Sequence, residues 1–355
     1  METVFHSLFI LLSFVAISHT QPLLAGSFPI SPNFAAVFNF GDSNSDTGEL
    51  TSGLGFRLPP PNGQSFVFKP PSTGRFCDGR LIVDFLMEAI GRPYLRPYLD
   101  SVSTQSYLRG CNFAAGGSTI QKANAASFSP FGFGVQVAQF VTFKYKVLQL
   151  IQQDKTLENL PSEDHFKNGL YMFDIGQNDI AGAIYGKTVD QAAAVIPTII
   201  NTFKDGINTI LGRGCEKLLD TQHRTNWVFS SDGVNIRERE TKSLVVSLAT
   251  TKLPSSSIYS FRVLSEILLN NIVMLISRFD QSIMVCCGTG GPPLNYNDQI
   301  NCGSTGTSNG TTVTSNACND SSKYVNWDGI HYTEAANRFV SQKILSGTYS
   351  QTVSS

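Results

Sequence analysis

Neither sign of charge dominates this chain. Its 26 Lys and Arg face 27 Asp and Glu, a formal net charge of −1 at pH 7. No basic surplus points to nucleic acid, and there is no acidic tail. The chain lacks a P-loop, a His-Glu-x-x-His pair, a paired Cys-x-x-Cys and a Gly-x-Gly-x-x-Gly after a strand pattern. Nucleotide-dependent, zinc-protease and dinucleotide readings have no motif to rest on, so no metal or cofactor is expected. Beyond the N-terminus no apolar run matches the length of a membrane helix. Residues 258–283 come closest, and Arg262, Glu266, Arg278 and Asp280 interrupt them. Internal repeats and domain-sized linkers are missing too, so the 355 residues read as a single domain over 27–350.

What is there begins with an apolar stretch at 8–17, broken by Ser13 and ending among the small residues Ala16 and Ser18. Its length suits the core of a secretory signal rather than a membrane span. Glu2 and His6 stand where Lys or Arg is usual. The reading is a signal peptide over 1–20, cleaved between Ser18 and Ala25, and a secreted, extracellular protein. In that setting the seven cysteines, Cys77, Cys111, Cys215, Cys286, Cys287, Cys302 and Cys318, allow up to three disulfides with one thiol left over. Four of them lie between 286 and 318, and their pairing stays open. Asn309-Gly310-Thr311 and Asn319-Asp320-Ser321 are sequons in a Gly/Ser/Thr/Asn-rich loop, so Asn309 and Asn319 are glycosylation candidates.

The organising stretch is VFNFGDSNSDTG at 37–48. An apolar run of strand formers stops at Gly41-Asp42-Ser43, which predicts a buried strand at 35–40 ending in a tight turn that presents Ser43. In an open α/β sheet, ligands bind at that end of the strands. A Gly-Asp-Ser turn alone is commonly just a polar loop. Helical spacing recurs at 79–90, 140–152 and 189–211, the last with Pro197 as a kink. A second buried strand is expected at 170–175 and a small-residue turn at 112–119. Strand, turn and helix signals alternate, which argues for a parallel sheet covered by helices. Residues 53–79, rich in Pro and Gly, read as a long ordered loop beside the Ser43 turn.

Near the C-terminus Asp328 and His331 stand three apart in WDGIHYTEAAN, just before the last helix pattern. At that spacing a carboxylate can reach its own imidazole, making an oriented base that could activate the Ser43 hydroxyl. A structural Asp–His bond has the same local pattern.

Four patterns in this order, FNFGDSNSDTG at 38–48, GCNFAAGGSTI at 110–120, FDIGQND at 173–179 and NWDGIHYTEAANRF at 326–339, resemble the plant GDSL esterase/lipase family within the SGNH hydrolases. GRFCDGRLIVDF at 74–85 and CCGTGGPPLNYN at 286–297 are similar to the early-nodulin-like and fucosidase-named members. The resemblance implies a three-layer α/β/α, flavodoxin-like fold with a central, mostly five-stranded parallel sheet. It implies Ser43 as nucleophile, His331 as general base and Asp328 as its orienter. The oxyanion hole would be the Ser43 and Gly117 N–H groups and the Asn178 amide, with Gly116 an alternative to Gly117. It also implies a carboxylic ester substrate, small or borne on a carbohydrate or lipid, an apoplast or cell-wall location, and a monomer. Chemistry supports the roles separately. A tetrahedral oxyanion needs preset donors, a glycine lets its N–H approach, and an Asn amide donates without titrating. Asp42 and Asp179 read as acceptors shaping their turns, and Trp327 as packing beside His331. Phe128, Phe131 and Phe133 could line an acyl groove or anchor their loop. Glycoside hydrolysis normally takes two carboxylates across the bond, so a fucosidase activity is discounted.

Between 212 and 253 the chain departs from the family. Thr225–Ser231 is the β-branched and aromatic run expected to pair beside 170–175, and 257–263 takes the place of the last edge strand. The charge run Arg237-Glu238-Arg239-Glu240 suits a solvated face. A scrambled gene segment and real divergence both fit. The second leaves an alternative function, a catalytically impaired secreted glycoprotein that binds ester or glycan.

Overall fold

The fold is taken from a computed structural model, which describes residues 34–66, 73–100, 106–122, 124, 127, 129–153, 158–184, 188–212, 217–220 and 278–346. In chain order the elements are β1 (Val37–Gly41), α1 (Glu49–Leu54), α2 (Ile82–Ala89), β2 (Gly110–Asn112), α3 (Phe133–Gln152), α4 (Glu163–Lys167), β3 (Leu170–Asp174), α5 (Gln177–Ile184), α6 (Val189–Leu211), β4 (Lys217–Asp220), β5 (Gln281–Val285), β6 (Cys287–Gly288), β7 (Thr305–Ser308), β8 (Thr311–Thr314), β9 (Asn316–Ala317), β10 (Tyr324–Asn326) and α7 (Glu334–Leu345). Among the described residues no helix is long and apolar enough to cross a membrane.

The central sheet runs β2–β1–β3–β4, all parallel. Alternation along β1 explains its two faces. Phe38 and Phe40 turn to one side, where they stack on Tyr171 and Phe173 of β3 at 5.2 and 5.1 Å. Phe140 of α3 meets Phe38 and Phe40 edge-on, and Ile199, Ile207 and Ile210 of α6 close this side. Val37, Leu170 and Met172 turn to the other side, against Ile82, Val83 and Leu86 of α2 and Val340 of α7. Helices thus cover both faces of the sheet, as the alternation of strand and helix signals predicts. At Gly110 the β1 backbone comes so close that a Cβ would collide with the Val37 carbonyl, and its φ is +94°, so only glycine fits there.

Two expectations are corrected. The neighbour of β3 is Lys217–Asp220, in register Leu170↔Lys217 through Phe173↔Asp220, whereas 225–231 lies outside the described residues. A short αβ connection suffices after the helix ending at Leu211. The chain therefore pairs the first apolar residues it reaches and does not wait for the richer run. Phe133 is no groove residue: it is buried at the start of α3, packed on Phe173 and Phe203. Phe128 and the strand expected at 257–263 lie outside the described residues, as do the signal segment and most of 212–253.

The C-terminal part holds β5 and β10 as a separate parallel pair. Cys286–Cys318 and Cys287–Cys302 are disulfides, Cys77 and Cys111 are buried free thiols, and Cys215 lies outside the described residues. The β7–β8 hairpin turns on Asn309 and Gly310, both at positive φ, the conformation that an Asn-Gly hairpin turn requires.

Candidate active site

The Ser43 turn is held through its own backbone groups by α3, β3 and β2. Gly41 ends β1 with both of its peptide groups bound by one side chain of α3: its N–H donates to Gln136 Oε1 at 2.9 Å, and Gln136 Nε2 donates to its carbonyl at 2.8 Å. The Asp42 N–H donates to the Asp174 carbonyl of β3, and the Ser45 N–H to the Asp42 carbonyl. The Asp42 carboxylate accepts the Asn44 N–H at 3.0 Å, so it shapes the turn as expected. Burial and the neighbouring Asp174 push the Asp42 carboxyl well above the usual carboxylate range. Beneath the turn, Asn39 of β1 donates to Asn112 Oδ1 of β2 at 2.7 Å, and Asn112 Nδ2 donates to the Ser45 carbonyl at 2.7 Å.

The second arm leaves β10 and returns through a loop to α7. Asp328 Oδ1 accepts the Ile330 and His331 N–H groups at 3.0 and 2.9 Å, which curls the loop. Its Oδ2 lies 2.7 Å from His331 Nδ1, and His331 Nε2 lies 2.7 Å from Ser43 Oγ. Burial pushes the Asp328 carboxyl up, but the charge and hydrogen bond of His331 and the two N–H groups outweigh it and hold it below the usual range. An ionised Asp328 favours the imidazole tautomer that donates from Nδ1 and turns Nε2 toward Ser43. Trp327 is fully buried, with Nε1 donating to Asn62 at 3.0 Å. It supports the loop from beneath; the ring that faces His331 is Phe76, 5.5 Å away.

The third group lies in the turn after β2. The Gly116 N–H donates to Asp46 Oδ2 at 2.7 Å. Gly117 follows at φ +69°, and its N–H, like that of Ser43, has no acceptor among the described residues. Between the two glycines the geometry favours Gly117 as a donor to a ligand. Asn178 sits in the first turn of α5, where one amide hydrogen donates to the Ser118 carbonyl at 2.9 Å; the other is left over. Asp179 accepts the Ile120 and Gln121 N–H groups. Gln177 joins the arms: it accepts from Asn44 Nδ2 and donates to the Ile330 carbonyl at 3.0 Å. His331 therefore bridges Ser43 and Asp328, with the Gly117 and Asn178 segments bonded to each other through Ser118. Asp46, Asn112, Gln136 and Gln177 escaped sequence reasoning. Asp46, the second acidic residue of the 42–46 run, carried a signal in its spacing from Asp42; Asn112 stands where the sequence reads as a turn, and Gln136 and Gln177 carried none.

A hydroxyl, an imidazole and a carboxylate in one hydrogen-bonded line, at the C-terminal ends of parallel strands, is the build of a serine-dependent α/β hydrolase. The family model for GDSL-like lipase/acylhydrolase matches residues 37–344, and the chain belongs to this family. A GDSL esterase/lipase of Arabidopsis thaliana is 59% identical over 380 aligned positions, covering 100% of this chain and 99% of the relative. A second from the same plant is 42% identical, covering 90% of each. A protein named alpha-L-fucosidase 3, also from Arabidopsis thaliana, is 35% identical, covering 95% of this chain and 97% of itself. The chain is a carboxylic ester hydrolase of the plant GDSL esterase/lipase kind, with the fucosidase-named relative inside the same family.

Proposed function

We propose that the enzyme hydrolyses carboxylic esters through an acyl-enzyme on Ser43. The observation that carries this reading is the continuous line Ser43 Oγ–His331 Nε2 and His331 Nδ1–Asp328 Oδ2, each 2.7 Å. His331 takes the Ser43 proton as Oγ attacks the ester carbonyl, and Asp328 stabilises the imidazolium. The Ser43 and Gly117 N–H groups and the Asn178 amide receive the oxyanion. His331 then protonates the departing alcohol, and water, activated by the same imidazole, releases the acid. p-Nitrophenyl acetate and a fluorophosphonate label test this. Wild type is expected to hydrolyse the first and take up the second, and Ser43→Ala to do neither; a wild type that does neither defeats the proposal. An acetyl or other short acyl group, on a small molecule, a carbohydrate or a lipid, is the substrate reading, and a chain-length series of esters checks it. The intact Ser–His–Asp contact favours turnover over a binding-only role. Fucose release abolished by Ser43→Ala would reverse the discount of glycosidase chemistry.

The same reading includes secretion into the apoplast or cell wall as a monomer with glycans on Asn309 and Asn319. Two disulfides fit an oxidising compartment, and both asparagines are exposed. Expression with the native N-terminus should deliver the protein to the medium at monomer size, lighter after glycosidase treatment; retention inside the cell would refute it. A fifth parallel strand, beside β4, also belongs here. Its support is that β4 would otherwise be an edge with unpaired backbone, and a crystal structure ending the sheet at β4 would refute it.

A further inference from the structure

We propose that Asp46 is a positioning residue for the oxyanion hole, an inference that rests on Gly117 as an oxyanion donor. Asp46 is fully buried, in the same turn as Ser43. Its carboxylate accepts four backbone N–H groups. Gly48 and Glu49 donate to Oδ1 at 2.7 and 2.6 Å, and Leu50 and Gly116 donate to Oδ2 at 3.3 and 2.7 Å. The first three are local and fold the nucleophile turn onto the start of α1. They would serve a residue that only caps that helix. The fourth spans 70 residues and serves no helix. It fixes the peptide immediately before the Gly117 N–H.

The 116–121 segment is bound at its far end by Asp179, through Ile120 and Gln121, and at its middle by Asn178 and Gln136, through Ser118. Those anchors tie it to α5 and α3. Gln136 bridges Gly41 and Ser118 from α3, whereas Asp46 bonds the segment directly from within the turn that bears the nucleophile, at the residue before Gly117. Its carboxylate therefore helps set the spacing between Ser43 and the donor that must meet the oxyanion. A hydrogen bond from an N–H to a charged acceptor is stronger and shorter than a neutral one, which suits an element that must not move as charge develops. Asp46→Asn keeps the shape but offers one acceptor oxygen to donors that need two, so either Gly116 or the Gly48–Glu49 pair loses its partner.

The test pairs ester kinetics with an arylboronic acid, whose tetrahedral adduct on Ser43 places an oxygen where the oxyanion would be. In Asp46→Asn, kcat and boronic-acid affinity should fall together, by about tenfold to 10²-fold, with KM unchanged. Glu49→Gln, another buried acid in the same helix start that does not touch Gly116, should leave both unchanged. Loss of kcat with a parallel rise in KM and no loss of boronic-acid affinity overturns the proposal, as does an unchanged Asp46→Asn. If the variant does not fold, wild type decides by NMR. The Gly116 amide hydrogen should be protected and hold its shift on boronic-acid binding while that of Gly117 moves. A freely exchanging Gly116 amide overturns the proposal. A wild type that neither hydrolyses esters nor binds the boronic acid instead refutes the acyl-enzyme reading.

Discussion

Asn178 has two amide hydrogens and spends one on the Ser118 carbonyl, so its truncation removes a donor and an anchor at once. Asn178→Ala is expected to lower kcat by about 10²–10³ with little change in KM, the size seen when one oxyanion donor is lost. Steady-state kinetics on a p-nitrophenyl ester measure it; an effect confined to KM would assign Asn178 to ground-state binding. Residues of this kind were legible because each stands in a contiguous pattern of its own, although their partners are far off: Ser118 lies 60 residues from Asn178 and Ser43 lies 288 from His331. Asp328 and His331 share one loop, and Gly117 and Asn178 carry motifs of their own. The bonds that Gln136 and Asp46 make to Gly41 and Gly116, 95 and 70 residues away, were not legible. Only the fold makes them neighbours.

At the scale of elements, the segment from 73 to 80 is joined to α2 by a buried ion pair. Arg75 Nε and Nη2 donate to the two oxygens of Asp84, each at 2.7 Å, and Asp84 Oδ2 also accepts the Leu81 N–H that opens the helix. Asp84→Ala would leave the guanidinium buried without its carboxylate, at a cost of about 3–5 kcal/mol. Replacing both partners by leucine should cost less than that single change, because no charge is then left unpaired. Urea unfolding of the two variants checks the order. Long elements such as α6, and strands with stacked aromatics such as β1 and β3, announce themselves by period and composition. The short strands β2 and β4 do not. Three or four residues show no period, and their strand state comes from the neighbour they pair with. The start of α3 was hidden for a related reason: Gly132 and Gly134 flank Phe133, and burial of Phe133 against Phe173 overrides their weak helix propensity.

For the whole molecule, buried acids near the site set a pH dependence of stability. Burial raises Glu49 from 4.5 to about 8 and Asp46 from 3.8 to about 6. Glu49 accepts the Leu99 N–H at 2.7 Å, and its Oε1 has no hydrogen-bond partner among the described residues. Between about pH 4.5 and 8 the unfolded chain has released a proton that folded Glu49 keeps. Stability from this group is therefore full below pH 4.5 and is lost as pH rises toward 8. The expected outcome is a higher Tm at pH 5 than at pH 8, and a flatter profile in Glu49→Gln with a gain over wild type at pH 8. A wild-type Tm that rises steadily from pH 5 to 8 would contradict it.

The sequence by itself determined the strand that carries Ser43, the Asp-x-x-His loop, the family and the ester chemistry. Each of these is written in contiguous residues whose types restrict backbone and reactivity locally. The tertiary structure alone decided the pairing of four of the cysteines, the identity of the strand beside β3, and the buried Asp46 carboxylate that takes the Gly116 N–H while the Gly117 N–H has no acceptor among the described residues. Those depend on which distant groups meet in a closed interior. There each backbone N–H must find an acceptor, and one already bonded cannot serve a ligand.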